Sequence, residues 1–104
     1  MADATGATAH LITDGADTTV LALAGVLDIA GVHAVRPNVD EALARDSGRL
    51  TLDLGHISFM DSSGIALLIE IANRVGDLRL TNLPGNIRRI LEITGLLVHF
   101  RVDD

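Results

Sequence analysis

Residues 50–75 read LTLDLGHISFMDSSGIALLIEIANRV, and this stretch decides the fold. Its beginning alternates leucine with polar residues, and a period of two predicts a strand with one buried face. Its second half has apolar residues at the spacing of a helix. The period changes across Ser62 and Ser63, which predicts that the two serines lie on a strand-to-helix connection.

The start of the predicted helix is a favourable place for an anion. Asp61 and Ser62 are both good N-cap residues, and Gly64 has no side chain to obstruct a close approach. The first N–H groups of a helix have no partner within it, and they carry the positive end of the helix dipole. A phosphate esterified to Ser63 would therefore lie there with little strain.

The residues before this stretch predict a hairpin and a helix. Residues 8–13 and 18–26 predict two strands, joined by the turn-rich sequence DGAD. A helix is expected over 29–45, either kinked at Pro37 or regular only from Pro37 onward, and ending near Ser47. Its expected N-cap is the aspartate directly before it.

The residues after this stretch predict two more strands and a helix. Residues 78–80 predict a short strand, Pro84 lies in the first turn of the next helix, and Gly95 stops that helix. Residues 97–102 predict a last strand. The order β-β-α-β-α-β-α-β predicts an α/β fold with a mixed sheet, in which an opening hairpin is followed by β-α-β units and packed helices. Residues 1–104 are expected to form a single domain.

The composition excludes several classes of function. The net charge is −6, and Phe59 and Phe100 are the only aromatic residues, so neither a nucleic-acid backbone nor stacked bases are expected partners. The absence of cysteine excludes disulfides and thiolate metal sites. No apolar run approaches the roughly 20 residues that cross a bilayer, and the N-terminus lacks the pattern of a signal peptide. We therefore expect a cytoplasmic protein without a membrane partner.

Catalysis and metal binding have little support in the residues. Ser62 or Ser63 together with His56 and Asp53 supplies the residue types of a hydrolase triad, but the glycine spacing of a nucleophile elbow is absent. The other histidines lack ligand spacing, and there is no glycine-rich phosphate loop. We expect no enzyme activity, no metal and no cofactor.

The helix after the serines is apolar on two sides. Beside its expected core stripe lies a second stripe of Leu67, Ile71 and Arg74, and Glu70 and Arg74 have the spacing of an i,i+4 ion pair. An apolar side of this kind is either buried or offered to a partner. The residues alone leave both interpretations open.

Three segments resemble STAS domains, specifically the anti-sigma factor antagonists. They are ISFMDSSG at 57–64, GVLD at 25–28, which has valine where the family usually has glutamate, and LPGNIRRILEITGL at 83–96. The resemblance extends over nearly the whole chain and implies one STAS-like domain. In that family the serine just before the glycine is the phosphoacceptor. That serine corresponds to Ser63, and Ser62 is the second choice.

The resemblance also implies a partner. Anti-sigma factor antagonists bind an anti-sigma factor when they are unphosphorylated, and this frees a sigma factor. The anti-sigma factor is commonly a serine kinase that inactivates them, and a phosphatase restores the binding form. The residues expected to form the partner-binding surface are Asp28, Asp61, Ser62, Gly64, Ile65, Leu67 and Ile71.

Two alternatives stay open. STAS domains also serve as scaffold subunits of stress-sensing or lipid-transport complexes, without a phosphorylation switch. In the second alternative, Asp61 and Ser62 only cap a helix, and nothing is phosphorylated.

If a switch exists, its phosphate adds roughly −1.5 to −2 charges. A partner carboxylate about 6 Å away would oppose each unit by about 3 kcal/mol at an effective dielectric constant of about 20.

Overall fold

The computed structural model describes residues 6–14, 18–45 and 49–103, which form one mixed sheet and its helices. The sheet has five strands in the order β1-β2-β3-β4-β5. The strands are β1 (Thr8–Asp14), β2 (Thr18–Leu27), β3 (Arg49–Met60), β4 (Asp77–Thr81) and β5 (Arg101–Asp103), and the α-helices are α1 (Ile29–Ala44), α2 (Ser62–Val75) and α3 (Gly85–Ile93).

The pairing of the strands confirms the predicted α/β fold. β1 and β2 are antiparallel, as expected of an opening hairpin, and residues 15–17 of its turn lie outside the described residues. Each later pair is parallel, as expected of β-α-β units. The crossovers all advance in the same direction across the sheet. Because such crossovers are right-handed, their helices lie on the same face.

The core lies between that face of the sheet and the helices. In β3, Leu50, Leu52 and Leu54 are at most 1% exposed, whereas Thr51 and Asp53 point to the other face and are half-buried. The same alternation continues into the neighbouring strands. The sequence pattern of the central stretch therefore fixes which face of the sheet the helices cover.

The helix α1 begins where the sequence predicts and contains its proline. Asp28 is the N-cap, and its carboxylate accepts a hydrogen bond from the Gly31 N–H at 2.8 Å. The helix extends on both sides of Pro37, so the prediction that its regular part starts only at that residue is wrong. It ends at Ala44, and the predicted end near Ser47 lies outside the described residues.

The helix α3 is close to its predicted bounds. Pro84 occupies the N-cap position rather than the first turn, and Gly85 is the first helical residue. Ile87 and Leu91 are its buried residues. Gly95 follows the helix with a φ of 75°, the left-handed conformation in which glycine commonly ends helices.

The last predicted strand is wrong over its first half. The prediction covered 97–102, whereas a 3-10 helix over Leu96–His99 precedes β5. From this helix Leu96 and Leu97 both pack against the core. Adjacent residues of a strand would point to opposite faces of the sheet, so a strand could not bury both.

Candidate functional site

The two serines are the first two residues of α2, and a single residue connects that helix to β3. This residue, Asp61, is the N-cap. Its carboxylate accepts a hydrogen bond from the Ser63 N–H at 2.8 Å, and its carbonyl accepts one from the Ile65 N–H at 3.1 Å. Ser62 is exposed and Ser63 is half-buried. Of the two candidate caps, the structure selects Asp61, which leaves the Ser62 side chain directed to solvent.

Gly64 allows α2 to begin directly against the end of β2. A Cβ atom at Gly64 would lie 2.4 Å from Met60 Cγ and 2.8 Å from the Leu27 carbonyl oxygen, closer than packed atoms approach. That carbonyl also accepts a hydrogen bond from the Asp61 N–H at 3.4 Å. Gly64 is buried, so its predicted place in the partner-binding surface is wrong. Its role is to let the start of α2, which contains the serines, pack closely against Met60 and Leu27.

The start of α1 packs against the same end of the sheet. A Cβ atom at Gly31 would lie only 1.9 Å from the Val26 carbonyl oxygen. The absence of a side chain at Gly31 therefore allows the helix to approach β2 this closely. This approach brings Asp28 and Asp61 to one shallow depression, and two carboxylates make it acidic. The residues that line the depression are Asp28, Ile29, Ala30, His33 and Asp61.

Leu67 and Ile71 belong to the core rather than to the surface. They are 1% and 0% exposed, and they share the buried face of α2 with Gly64 and Leu68. Residues at this spacing lie on one side of a helix, and the close contact at Gly64 turns that side toward the sheet. The prediction that Leu67 and Ile71 form part of a partner-binding surface is therefore wrong. Ile65 is half-buried and packs against the core.

Ile29 is an exposed apolar residue that the sequence analysis missed. It is the first residue of α1 and is 77% exposed. It lies two positions before the buried Gly31, which places it about 200° around the helix and therefore on the outer side. Helical spacing alone does not identify it, because Ile29 lies three positions before Val32, which packs against the core.

Phe59 is a second exposed apolar residue that lies close to the serines in sequence, and it too was missed. It lies one residue before the end of β3 and is 53% exposed. The pairing of β2 with β3 shifts register between Gly25 and Val26, and Val26 is the neighbour of Phe59 across the strands. The shift breaks the alternation of buried and exposed residues, so the sequence pattern contained no signal for this exposure.

An ion pair joins the two helices that begin at the site. Arg36 Nη1 lies 2.6 Å from Glu70 Oε2, and Arg74 Nη1 lies 3.8 Å from the same oxygen, which confirms the predicted i,i+4 pair. The hydrogen bond from Arg36 lowers the pKa of Glu70 below its usual value, and it raises the pKa of Arg36. Both side chains of the shorter pair are more than a third exposed, so its contribution is at most about 1 kcal/mol.

The residues considered for catalysis do not assemble. His56 and Asp53 lie along β3 about 13 and 23 Å before its last residue, too far from the serines for a triad. The Asp53 carboxylate instead accepts hydrogen bonds from the Gly55 N–H at 3.0 Å and from Asn82 Nδ2 at 3.1 Å. Across 6–14, 18–45 and 49–103, no group of three or more His, Cys, Asp or Glu side chains is arranged to hold a metal ion.

The fold and the Asp-Ser-Ser-Gly helix start together define a class of protein. The chain belongs to the STAS domain family, because the family model described as "Mlab, STAS domain" matches residues 11–98. No helix in the described part of the chain is both long and apolar enough to cross a bilayer.

The chain is similar to several relatives and solved structures. The chain is 28% identical over 97 residues to BtrV of Bordetella bronchiseptica, a protein named as an anti-sigma factor antagonist, and the match covers 88% of this chain and 84% of BtrV. An anti-sigma factor antagonist from Mycobacterium paratuberculosis has the same fold, with a TM-score of 0.85, 19% identity and coverage of 98% and 89%. The anti-sigma factor antagonist SpoIIAA in its unphosphorylated form gives a TM-score of 0.74 at 22% identity, covering 93% and 89%. The phosphorylated form of Bacillus SpoIIAA gives 0.70 at 22% identity, covering 93% and 92%.

Proposed function

We propose that this protein is an anti-sigma factor antagonist controlled by phosphorylation of Ser63. In its unphosphorylated form it binds an anti-sigma factor and thereby frees a sigma factor. This function requires the protein to act in the cytoplasm. The strongest support is the position of Ser63 in the first turn of α2, because the N-cap of that helix, Asp61, lines one depression together with the exposed Ile29. The role named for BtrV supports the same conclusion. The protein acts as a ligand and a substrate rather than as a catalyst, and ATP belongs to its partner.

The docking surface surrounds the serines and combines apolar and acidic groups. A few residues that become fully buried at the centre of an interface contribute most of its binding energy, and energetically near-neutral contacts surround them. Ile29 and Phe59 are 77% and 53% exposed in the free chain and would supply that buried centre. We define the docking surface as Asp28, Ile29, Phe59, Asp61, Ser62 and Ile65.

Phosphorylation would disrupt this contact through charge and desolvation. The phosphate adds roughly −1.5 to −2 charges beside Asp28 and Asp61, which are already negative. A partner that covers Ile29 and Phe59 would have to remove water from that phosphate, which is costly in an apolar contact. An opposing carboxylate about 6 Å away adds about 3 kcal/mol per unit charge, or roughly a hundredfold in affinity. The anti-sigma factor supplies the serine kinase activity in this proposal, and a phosphatase reverses the modification.

Peptide mass spectrometry of the chain from its native cells, together with the proteins that co-purify with it, tests the function. We expect a phosphate on Ser63 and an ATP-binding partner with kinase activity. A chain without phosphate that is recovered only in a lipid-transport complex would contradict the proposal and support the scaffold alternative.

Adjacent serines provide a matched pair of variants for the site. Ser63→Ala is expected to bind the anti-sigma factor and to resist phosphorylation, whereas Ser62→Ala is expected to bind and still be phosphorylated. Ser63→Asp is expected to bind more weakly than either. If Ser62→Ala abolishes phosphorylation and Ser63→Ala does not, Ser62 is the acceptor and the assignment of Ser63 is wrong.

A further inference from the structure

We propose that β1 is a dimerisation edge, at which two copies of this chain join their sheets. This inference concerns a surface away from the serines and does not depend on the proposed function. β1 forms one edge of the sheet, and within 6–14, 18–45 and 49–103 no strand pairs with its outer side. Such an edge offers a row of backbone N–H and C=O groups to another strand.

Over residues 8–12, β1 lacks most of the features by which proteins usually protect an edge strand. It is seven residues long, it pairs with β2 without a register shift, and its sequence TAHLITD contains no Pro, Lys or Arg. The opposite edge, β5, is only three residues long and begins with Arg101, which lies 3.2 Å from a carboxylate oxygen of Asp77. The two edges therefore differ, and β1 is the one that can accept a strand.

A second copy is the occupant that fits, because β1 is complementary to itself. An antiparallel pair centred on His10 places Ala9 opposite Leu11 and Thr8 opposite Ile12 on both sides of a two-fold axis. A smaller side chain thus faces a larger one on each face of the sheet. Hydrogen-bonded and non-hydrogen-bonded residue pairs would alternate along the two strands, as in a regular antiparallel ladder. The two chains would share about four to six backbone hydrogen bonds.

The side chains that this pairing would cover are incompletely buried in the single chain. Ile12 is 50% exposed and lies opposite Val20 of β2, while Ala9 and Leu11 are half-buried against the core. Residues 8–12 contain no Asp, Glu, Lys or Arg, so this edge lets two chains of net charge −6 approach without close repulsion. An acidic or basic partner would find no matching charge there.

The two-fold axis would stand perpendicular to the sheet. The paired sheets would form one continuous sheet with the helices of both copies on the same side. Because the strands of the two copies run in opposite directions, their docking surfaces would lie at opposite ends of this sheet. Each dimer would then present two accessible docking surfaces.

Sedimentation equilibrium of the full chain over a wide range of concentrations tests the proposal. The mass is expected to rise with concentration from 11.0 kDa to twice that value. Ile12→Lys places a charge at a half-exposed edge position and is expected to abolish the rise. Val98→Lys is the matched control, because Val98 is apolar, 85% exposed and in the 3-10 helix rather than in β1. This control is expected to dimerise like the unmodified chain.

Amide hydrogen exchange of the unmodified chain is an independent measurement. In the dimer every amide of residues 8–12 is expected to be protected, whereas in a single chain the outward-facing ones exchange freely. A monomer at every concentration overturns the proposal, as does a dimer that Val98→Lys abolishes and Ile12→Lys does not. Full protection of these amides in a monomer also overturns it, since another segment of the same chain would then cover the edge.

Discussion

Ile29→Ala and Leu67→Ala separate the docking surface from the core. Both variants shorten an aliphatic side chain near the serines, but Ile29 is 77% exposed and Leu67 is 1% exposed. Full burial of such a side chain contributes about 1.5–3 kcal/mol. In the free protein the covered fraction of Ile29 is 100 − 77 = 23%, which corresponds to about 0.3–0.7 kcal/mol of stability. A partner that covers the remaining 77% would gain about 1.2–2.3 kcal/mol.

Ile29→Ala should therefore weaken binding with little change in stability, whereas Leu67→Ala should lower stability with little change in binding. Ile29→Ala is expected to weaken the complex by about 8- to 50-fold and to change the free energy of unfolding by less than about 1 kcal/mol. Leu67→Ala is expected to cost about 2–5 kcal/mol of stability, because it leaves a cavity in the core. The affinity of its folded fraction should stay close to that of the unmodified protein.

Isothermal titration calorimetry with the co-purified anti-sigma factor measures the affinity, and urea denaturation measures the stability. The titration is performed on unphosphorylated protein at a temperature where Leu67→Ala remains folded. If folded Leu67→Ala binds weakly while Ile29→Ala binds normally, the partner contacts the Leu67 side of α2 and not Ile29, and the proposed docking surface is wrong. Ile65, which is half-buried, would then need to be tested in the same way.

Three further substitutions test the residues that support the site, each by urea denaturation. Asp61→Ala removes the N-cap and is expected to cost about 1 kcal/mol, and Asp61→Asn should restore most of this because it keeps a side-chain oxygen. Gly31→Ala is expected to cost about 1–3 kcal/mol despite the better helix propensity of alanine, because its Cβ would lie 1.9 Å from the Val26 carbonyl oxygen. Glu70→Gln is expected to cost up to about 1 kcal/mol at neutral pH. This cost should vanish in acid: Arg36 lowers the pKa of Glu70 in the folded protein, so the contribution is present above the unfolded pKa of about 4.3 and is lost as pH falls through the lower folded value.

The elements of the fold could be predicted because their signals are local. The change of period within 50–75 identified β3 and α2, and the capping preferences of Asp28 and Asp61 identified where two helices begin. Each of these signals depends on neighbouring residues within one or two turns of chain. The same local rules gave the parallel order of the strands once helices alternated with them.

The exposed apolar residues of the proposed docking surface could not be predicted, because their exposure depends on contacts between distant segments. Two sides of α2 were apolar, and only the approach of Gly64 to β2 decided that Leu67 would be buried. Phe59 is exposed because β2 and β3 shift register near it, and the pattern of β3 alone does not show that shift. Binary pattern identifies apolar residues, whereas tertiary packing decides which of them reach the surface.

The structure also explains why a phosphate could act as a switch without refolding the domain. The Ser63 N–H is bonded to Asp61 at 2.8 Å, and Gly64 is held against Leu27, so the start of α2 does not rely on the Ser63 hydroxyl. The helix dipole would favour a phosphate there by about 0.3–1 kcal/mol, and the nearby Asp61 carboxylate would oppose it. These effects have opposite signs, and both are already present in the free chain, so they do not depend on the partner. A partner that covers Ile29 adds a further cost, because it must remove water from the phosphate and meet its charge directly. The energetic consequence of the modification therefore falls on the complex, and a rigid docking surface is sufficient for control.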